Sequence, residues 1–242
     1  MHKKNSIQID EQNDLNSSDI SSSNSSFISS SSDENLEHIS ALDLTGGMLR
    51  TYNIINELGR GSYSIVWLGY HIQTNKFYAI KVQDSHEFLS GKDEIKFVSR
   101  LPKNPPVFNN LVEYFIEYRD AQKYLCSVWN LHYFNIDTLV RKCNYNNGLP
   151  LILVKKIMRQ IITALMILHK KFKVFHGDIK TDNILIKGIN DRDKFICNKY
   201  LDELNKLSPE NKLLRSQYHK NITQIILDEL KTTNINYFNL NQ

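Results

Sequence analysis

Residues 175 to 185, FHGDIKTDNIL, place a histidine, two aspartates, a lysine and an asparagine within eleven positions, among apolar residues. A carboxylate such as Asp178 can accept a proton, and the ammonium group of Lys180 can neutralise a negative charge. A chance polar turn between a helix and a strand would have a similar composition. The cluster is therefore either a site of acid–base chemistry or a chance polar turn. The motifs elsewhere in the sequence distinguish these two interpretations.

Two close glycines lie upstream in ELGRGSYSIVWLGY, residues 57 to 70, and FYAIKV follows at 77 to 82. Alternating β-branched and aromatic residues predict three antiparallel strands here, with QTNK as the second turn. Gly59 and Gly61 lie at the first bend, where backbone can approach a ligand closely and leave N–H groups free for phosphate oxygens. Lys81 can add a fixed positive charge, so the pattern suits a nucleotide under a hairpin.

Two other phosphate-binding motifs do not fit these glycines. A P-loop requires G-x-x-x-x-G-K-[ST], and the chain contains no such string. A Rossmann fingerprint requires a third glycine and a following helix, whereas Ser64 takes that place here and a strand pattern follows. A plain hairpin turn remains the alternative for the glycines taken alone.

Composition favours a folded, intracellular and soluble protein. The chain has 242 residues, of which 41% are apolar, and three cysteines without a C-x-x-C pair, so neither a disulfide framework nor a zinc ribbon is expected. The first residues, MHKKNS, lead into polar sequence rather than into the apolar core of a signal peptide. The most apolar stretch, 149 to 169, contains Lys155, Lys156 and Arg159, so it predicts an amphipathic or buried helix and no membrane partner.

Charge and serine content divide the chain. Residues 1 to 48 carry a net charge of −6, so the remainder carries +10 of the total of +4. Its basic residues are dispersed and lack an aromatic platform, so a nucleic-acid partner is not expected. Between Ser17 and Ser32, eleven of sixteen residues are serine, which predicts a disordered tail over 1–45. Both a phosphorylated regulatory segment and a low-complexity leader fit this composition.

Three motifs together resemble the eukaryotic protein kinases. LGRGSYSIV is similar to their Gly-rich loop, YAIK to the strand-three V-A-I-K, and HGDIKTDN to H-R-D-L-x-x-x-N. The order and spacing match over residues 50 to about 190. Within that family, YSIVWLGY, DEIKFVSRL, GLPLILVKKIMRQIITALMILH and HGDIKTDNILI most resemble the SR-protein kinases.

The resemblance implies an ATP site in the first half of the chain. Lys81 would contact the α- and β-phosphates and pair with Glu94, with Glu87 as the rival partner. VWNLH at 128 to 132 resembles the hinge that reads the adenine edge, which places Trp129 at the gatekeeper position. The implied nucleotide-contacting residues are Leu58, Gly59, Gly61, Ser62, Val66, Ala79, Lys81, Glu94, Asn130 and His132.

The resemblance also assigns roles within FHGDIKTDNIL. Asp178 would orient the substrate hydroxyl and accept its proton, and Lys180 would stabilise the migrating phosphoryl group. Asn183 would be a carboxamide ligand to Mg²⁺, whereas His176 would bond to backbone as a scaffold residue. These assignments imply ATP and Mg²⁺ as cofactors and a protein with Ser or Thr acceptors as substrate.

Two departures from the kinase pattern stand out. Gly177 replaces the Arg of H-R-D, so activation by phosphorylation of an activation loop is not expected; SR-protein kinases lack that Arg too. Gly188 is the last glycine of the 242 residues, so no D-F-G motif follows the candidate catalytic loop. The Asp of D-F-G is the usual second Mg²⁺ ligand.

The predicted fold class is α+β and protein-kinase-like: an antiparallel β-sheet N-lobe with an αC helix, plus the first, incomplete part of a helical C-lobe. The predicted divisions are the tail 1–45, the N-lobe and hinge 46–132, the C-lobe part with the catalytic loop 133–190, and a helical, insert-like tail 191–242.

Three hypotheses for function follow. The chain is the N-terminal part of a split or truncated serine/threonine protein kinase, whose C-terminal half is a separate partner chain. Alternatively it is an ATP-binding pseudokinase or scaffold without turnover. In the third hypothesis the chain is active alone, with Asp191 or Asp193 as the substitute metal ligand.

Overall fold

A computed structural model describes residues 42–132, 134–142, 145, 147–188, 191–207 and 215–232. The predicted disordered tail lies outside the described residues as far as residue 41. Within the described ranges, no helix is long and apolar enough to cross a membrane.

Six antiparallel strands form the main sheet, in the order β1-β2-β3-β4-β6-β5. Their bounds are β1 Met48–Leu49, β2 Tyr52–Arg60, β3 Ser64–His71, β4 Lys76–Gln83, β5 Leu111–Arg119 and β6 Gln122–Asn130. The predicted three-strand meander is β2, β3 and β4. One face of the sheet buries Ile54, Trp67, Ile80 and Val128 almost completely, which gives the N-terminal part its core.

Helix α1, Phe88–Val98, packs on the strands β5 and β6. Its buried residues Phe88 and Ile95 contact Leu125 of β6. Gly91 is where the helix comes closest to the sheet: a Cβ there would lie 2.7 Å from both Gln83 Oε1 and Leu125 Cδ2. Glycine thus allows the close contact that fixes α1, and with it the side chains that α1 directs toward β4.

The segment after the hinge contains the candidate catalytic loop. It comprises α2 Ile136–Lys142, α3 Leu151–Ile167, a π-helical turn Leu168–Phe172, a 3₁₀ turn Thr181–Asn183, and the paired strands β7 Phe134–Asn135 and β8 Leu185–Ile186. The β7–β8 pair holds the end of the loop beside the start of α2. None of the α3 residues is buried, although the helix is strongly apolar.

Two further helices, α4 Asp191–Asn205 and α5 Arg215–Thr232, pack together and onto the main sheet. Ile55, Leu68 and Tyr70 of the sheet form one buried cluster with residues of both helices. Those helix residues are Ile196, Cys197, Tyr200, Leu204, Ile222 and Ile226. Burial of these side chains makes the helix pair part of the same folded body as the sheet.

A buried hydrogen-bond network joins the helix pair to β2. Asn53 Nδ2 donates to the Tyr200 hydroxyl at 2.8 Å, and that hydroxyl lies 3.2 Å from His219 Nδ1. His219 Nε2 lies 3.0 Å from the carbonyl oxygen of Ile54. An Nε2–H donor to the carbonyl and an Nδ1 acceptor for the hydroxyl together describe a neutral imidazole.

Stability should depend on pH through His219. Burial lowers the pKa of His219 to about 4, whereas an unfolded histidine has a pKa of about 6.5. The unfolded chain therefore takes up a proton first as pH falls from about 6.5 to about 4, and this contribution to stability is lost across that window. We expect the loss to be about 2 kcal/mol between pH 7.5 and pH 5.

Urea denaturation at the two pH values checks this prediction against His219→Gln. The pKa values of His71 and His132 are also lowered, first by burial, so both proteins keep some pH dependence. The difference between the two proteins isolates His219. An equal pH dependence in both would contradict the assignment of a neutral, buried imidazole.

Candidate active site

A cavity of about 1030 Å³ lies between the main sheet and the segment after the hinge. It brings together most of the predicted nucleotide-contacting residues and the predicted metal ligand. Those in its lining are Leu58, Gly59, Val66, Ala79, Lys81, Glu94, Asn130, His132 and Asn183. Gly61, Ser62, Asp178 and Lys180 are not in the lining and are exposed.

Lys81, in the middle of the sheet, is one of the basic residues that line the cavity. Strand β4 is paired on both sides there, with Val66 of β3 and Ser127 of β6. Lys81 Nζ lies 2.7 Å from Glu94 Oε2 on α1. The rival Glu87 precedes α1, and its carboxylate accepts from Ser90 instead. The structure therefore pairs Lys81 with Glu94.

The glycine bend between β2 and β3 differs in one detail from the prediction. Gly61 N–H donates to the Ser64 carbonyl at 2.8 Å, so this amide closes the bend and is not free for a phosphate. Gly59 lines the cavity, and a Cβ added there would meet no protein atom within 4 Å. Of the two glycines, Gly59 leaves the space that a bound phosphate chain needs.

The hinge contributes four residues to the cavity lining: Trp129, Asn130, Leu131 and His132. Trp129 is paired with Ala79 across β4 and β6, and its Nε1–H donates to Ser127 Oγ at 2.8 Å. His132 Nε2 lies 2.8 Å from Asn109 Oδ1, and burial is the main cause of its lowered pKa. Both Trp129 and His132 therefore belong to the wall of the same cavity as Lys81.

Asp178, Lys180 and Asn183 form one hydrogen-bonded unit. Lys180 Nζ lies 3.2 Å from Asp178 Oδ2, and Asn183 Nδ2 donates to the same oxygen at 2.8 Å and to the Asp178 carbonyl at 2.9 Å. The Lys180 contact, followed by the Asn183 contact, lowers the pKa of the Asp178 carboxyl. Asp178 is thus held ionised and oriented, as a proton acceptor must be.

Backbone geometry shapes the start of this loop. Asp178 N–H donates to His176 Nδ1 at 3.3 Å, so His176 contacts backbone. Gly177 has φ of +77°, in the left-handed region that glycine adopts without steric cost. The glycine that replaces the Arg of H-R-D therefore also matches the conformation of the loop.

The residues present fit a magnesium ion only in part. Asn183 uses its Nδ2 for Asp178, which leaves the carboxamide Oδ1 as the metal-ligand atom. Among the described residues, no group of three or more His, Cys, Asp or Glu side chains could hold a metal ion. Asp193 lines the cavity, 3.8 Å from the guanidinium of Arg192, whereas Asp191 is not in the lining.

Sequence reasoning missed part of the cavity wall. The inner wall comes from α1 and the segment after it and contains Phe97, Val98, Leu101 and Phe108. The spacing of apolar residues in α1 indicates a helix, but it does not indicate which face of that helix lines the cavity. Arg192, from the first turn of α4, was also missed, because nothing in its sequence context differs from an ordinary exposed helix start.

An apolar surface surrounds the catalytic loop. Met158, Ile162 and Met166 recur every four residues and so share one face of α3, where each is about half exposed. The exposed apolar side chains of this surface, from α3 through β8, are Leu151, Ile152, Met158, Ile162, Met166, Val174, Phe175, Ile179 and Leu185. Exposed apolar side chains that lie close together are suited to contact with protein, and three of these, Val174, Phe175 and Leu185, also line the cavity.

A sheet with helix α1 packed on it, a hinge, and a cavity that contains the Lys81–Glu94 pair and adjoins the catalytic loop at Asn183 together resemble a kinase nucleotide site. The family described as the protein kinase domain matches residues 52–197, well over half of the chain. The chain therefore belongs to the protein kinase family. The predicted fold class is confirmed by this match and by a solved structure of a kinase domain.

Comparison with individual proteins indicates which group of kinases this chain resembles. A serine/threonine-protein kinase of Acanthamoeba polyphaga mimivirus is 33% identical over 207 residues, which are 76% of this chain and 37% of that protein. SRSF protein kinase 3 of Homo sapiens is 34% identical over 143 residues, 56% of this chain and 25% of the relative. The predicted resemblance to SR-protein kinases is confirmed.

The solved kinase domain is 26% identical, with a TM-score of 0.53, and the match covers 66% of this chain and 48% of that one. The chain thus spans less than two fifths of the length of these two relatives and about half of the solved domain.

Proposed function

We propose that the chain provides the ATP site and catalytic loop of a serine/threonine protein kinase. The reaction transfers the γ-phosphate of ATP to a Ser or Thr hydroxyl of a protein. The observation that carries the proposal is the ionised Asp178, bonded to Lys180 and Asn183, beside a cavity lined by the Lys81–Glu94 ion pair.

The proposed step divides the chemistry among these residues. Asp178 accepts the proton of the acceptor hydroxyl, whose oxygen forms a new bond to the γ-phosphorus. The bond from that phosphorus to the β–γ bridging oxygen breaks, and ADP leaves with the electron pair. Lys180 neutralises charge on the migrating phosphoryl group, and Lys81 does so for the phosphates that remain with ADP. Glu94 holds Lys81 in position.

The proposal assigns a single Mg²⁺ ligand to this chain. When bound, the ion would neutralise phosphate charge and align the phosphates for transfer. Asn183 Oδ1 is the atom of this chain that would hold it. The chain orients Asn183 for this role through its two hydrogen bonds to Asp178.

The nucleotide part of the proposal is tested by Lys81→Ala. Removal of a phosphate-contacting ammonium should raise the Kd for ATP by about tenfold to a hundredfold and leave adenosine binding within about twofold. Isothermal titration of both ligands measures this difference. Lys76→Ala removes the same charge from an exposed position on the same strand and should change neither value. Equal loss for ATP and adenosine would contradict a phosphate contact at Lys81.

We further propose that the rest of the kinase C-lobe acts as a partner. It would be a separate chain that supplies the D-F-G aspartate and covers the apolar surface from α3 through β8. Two findings support this: the described residues hold no group of three or more His, Cys, Asp or Glu side chains for a metal ion, and residues of that surface belong to the catalytic loop. Aromatic and aliphatic side chains buried by such a partner would supply the driving force for association.

The partner proposal predicts activity by complementation. Phosphate transfer should be absent or weak for the chain alone. It should rise at least a hundredfold when the chain is co-expressed with the C-terminal part of the mimivirus relative's kinase domain. Ile162→Asp should abolish that gain, because it places a charge in the apolar surface. Ile225→Asp, at a similarly exposed apolar position on α5, serves as the control. A gain that survives Ile162→Asp would contradict docking at this surface.

An ATP-binding scaffold without turnover is the second candidate. The observation in its favour is the lack, among the described residues, of a group of three or more His, Cys, Asp or Glu side chains that could hold a metal ion. ATP binding that depends on Lys81, without phosphate transfer in either the isolated or the complemented chain, would select this candidate.

A further inference from the structure

Two parts of the chain carry positive charge without any acidic residue. Residues 95–112 contain three lysines and arginines, residues 138–177 contain eight, and neither range contains an aspartate or a glutamate. The structure brings the two ranges together at Phe172, whose ring meets the edge of the Phe97 ring with 5.8 Å between the centroids. Cations that are dispersed in the sequence therefore collect where the end of α1 meets the turn before the catalytic loop.

The Phe172 ring has a cation from each range beside it. Arg100 Cζ lies 5.9 Å from the ring centroid, and Lys171 Nζ lies 5.5 Å from it. An aromatic ring attracts a cation but has no net charge, so it does not neutralise these two side chains. We call the exposed cations at this junction the basic surface, which consists of Arg100, Lys103, Lys170, Lys171 and Lys173.

The basic surface is not neutralised by acidic side chains of the described residues. Within that part of the chain, none of its five members is in an ion pair, whereas Lys81, Lys199 and Lys206 are. The carboxyl end of a helix carries about half a negative charge, so the two helix ends at this junction balance about one of the cations. The basic surface is therefore suited to a ligand with several negative charges.

The chain itself contains an acidic segment of this kind. Residues 1–41 hold seven acidic residues and two lysines, a net charge of −5, and lie outside the described residues. An extended chain of that length spans up to about 140 Å, whereas a folded domain of this size is about 40 Å across. Attachment at residue 42 thus lets the segment reach the basic surface and keeps its effective concentration there high.

We propose that the acidic segment 1–41 docks on the basic surface of the same chain. The docked segment contacts Arg100, just after α1, and Lys171, just before the catalytic loop, and so holds these two parts of the fold together. Eleven of the sixteen residues from Ser17 to Ser32 are serine. Because each phosphoserine adds a charge of about −1.5 to −2, phosphorylation of this stretch strengthens the docking.

Carbodiimide cross-linking of the full chain tests this docking, because the reagent joins a carboxylate to a lysine amine when the two are in contact. Mass spectrometry should find cross-links from the acidic residues of 1–41 to Lys103, Lys170, Lys171 or Lys173. Their yield should exceed that at the exposed Lys76 and Lys194 by about fivefold or more. Sodium chloride at about 1 M should remove them, because salt screens contacts between exposed charges.

A pair of matched charge-reversal variants adds a control. Lys170→Glu combined with Lys173→Glu should lower the cross-link yield at Lys171 by about fivefold or more, because like charges then face each other. Lys76→Glu combined with Lys194→Glu makes the same change of charge at exposed positions elsewhere and should leave that yield within about twofold. Urea denaturation establishes that both variants are folded.

Three results would overturn docking within one chain. The first is a yield at Lys76 and Lys194 equal to that at the basic surface, or a yield at Lys171 that the Lys170→Glu, Lys173→Glu variant keeps. The second is cross-links that join ¹⁴N-labelled to ¹⁵N-labelled chains in a mixture, which would assign the surface to a second copy. The third is poly(U) RNA bound by the wild-type chain and not by that variant, without cross-links from 1–41, which would assign the surface to nucleic acid.

Discussion

Asp178→Asn should slow phosphate transfer by about a hundredfold to ten-thousandfold in the complemented chain, which is the range for loss of a positioned general base. The amide keeps the shape of the carboxylate and can still contact Lys180 and Asn183, but it cannot take the hydroxyl proton. The Kd for ATP should remain within about threefold of the wild-type value, because Asp178 lies outside the cavity lining.

The matched control for this variant is Asp182→Asn, which removes the other carboxylate of the same exposed loop. Transfer by the control should stay close to that of the wild-type chain. Initial rates with γ-labelled ATP and a basic, serine-rich acceptor protein measure both variants. If Asp178→Asn retained more than half of the wild-type rate, Asp178 would not be the proton acceptor.

Tyr200→Ala should lower the free energy of unfolding by about 3–5 kcal/mol, the usual cost of deleting a large buried aromatic side chain. Tyr200 is fully buried where α4 meets the sheet, with Tyr70 and Phe77 as ring neighbours at 4.8 and 6.0 Å between centroids. Its removal leaves a cavity and also leaves Asn53 Nδ2 without its buried acceptor.

Tyr200→Phe separates packing from hydrogen bonding, because the ring remains and only the hydroxyl is lost. It should cost about 1–2 kcal/mol. Urea denaturation followed by circular dichroism measures both values. Equal, small losses below about 1 kcal/mol for the two variants would mean that α4 does not form part of the stable core.

The sheet could be predicted from sequence because its local patterns and its tertiary arrangement agree. Alternation across β2, β3 and β4 indicates strands, and short turn sequences between them force antiparallel neighbours. Lys81 then falls in the middle of the sheet by register alone. Its pairing with Glu94 rather than Glu87 was predicted from the resemblance of DEIK to the kinase motif, and not from local pattern; in the structure it depends on the position of α1, which makes a close contact at Gly91.

The placement of α4 could not be predicted, because an amphipathic pattern indicates that a helix is buried on one face but not what covers that face. Tyr200 and His219 find their partners on β2, about 150 residues earlier in the chain. Contacts between residues so far apart in the sequence produce no pattern in the local sequence around either residue. Likewise, the sequence shows that Gly177 replaces an Arg, but its positive φ is a property of the folded loop.

The most direct test of the account is a single-turnover measurement of phosphate transfer from γ-labelled ATP to a serine-rich protein, by the wild-type chain together with the C-terminal kinase part. The account predicts labelled phosphoserine or phosphothreonine in the acceptor, in an amount that depends on Asp178 and on Mg²⁺. ATP bound at the Lys81 cavity in a folded complex, with no phosphate transferred, would contradict the proposed kinase activity.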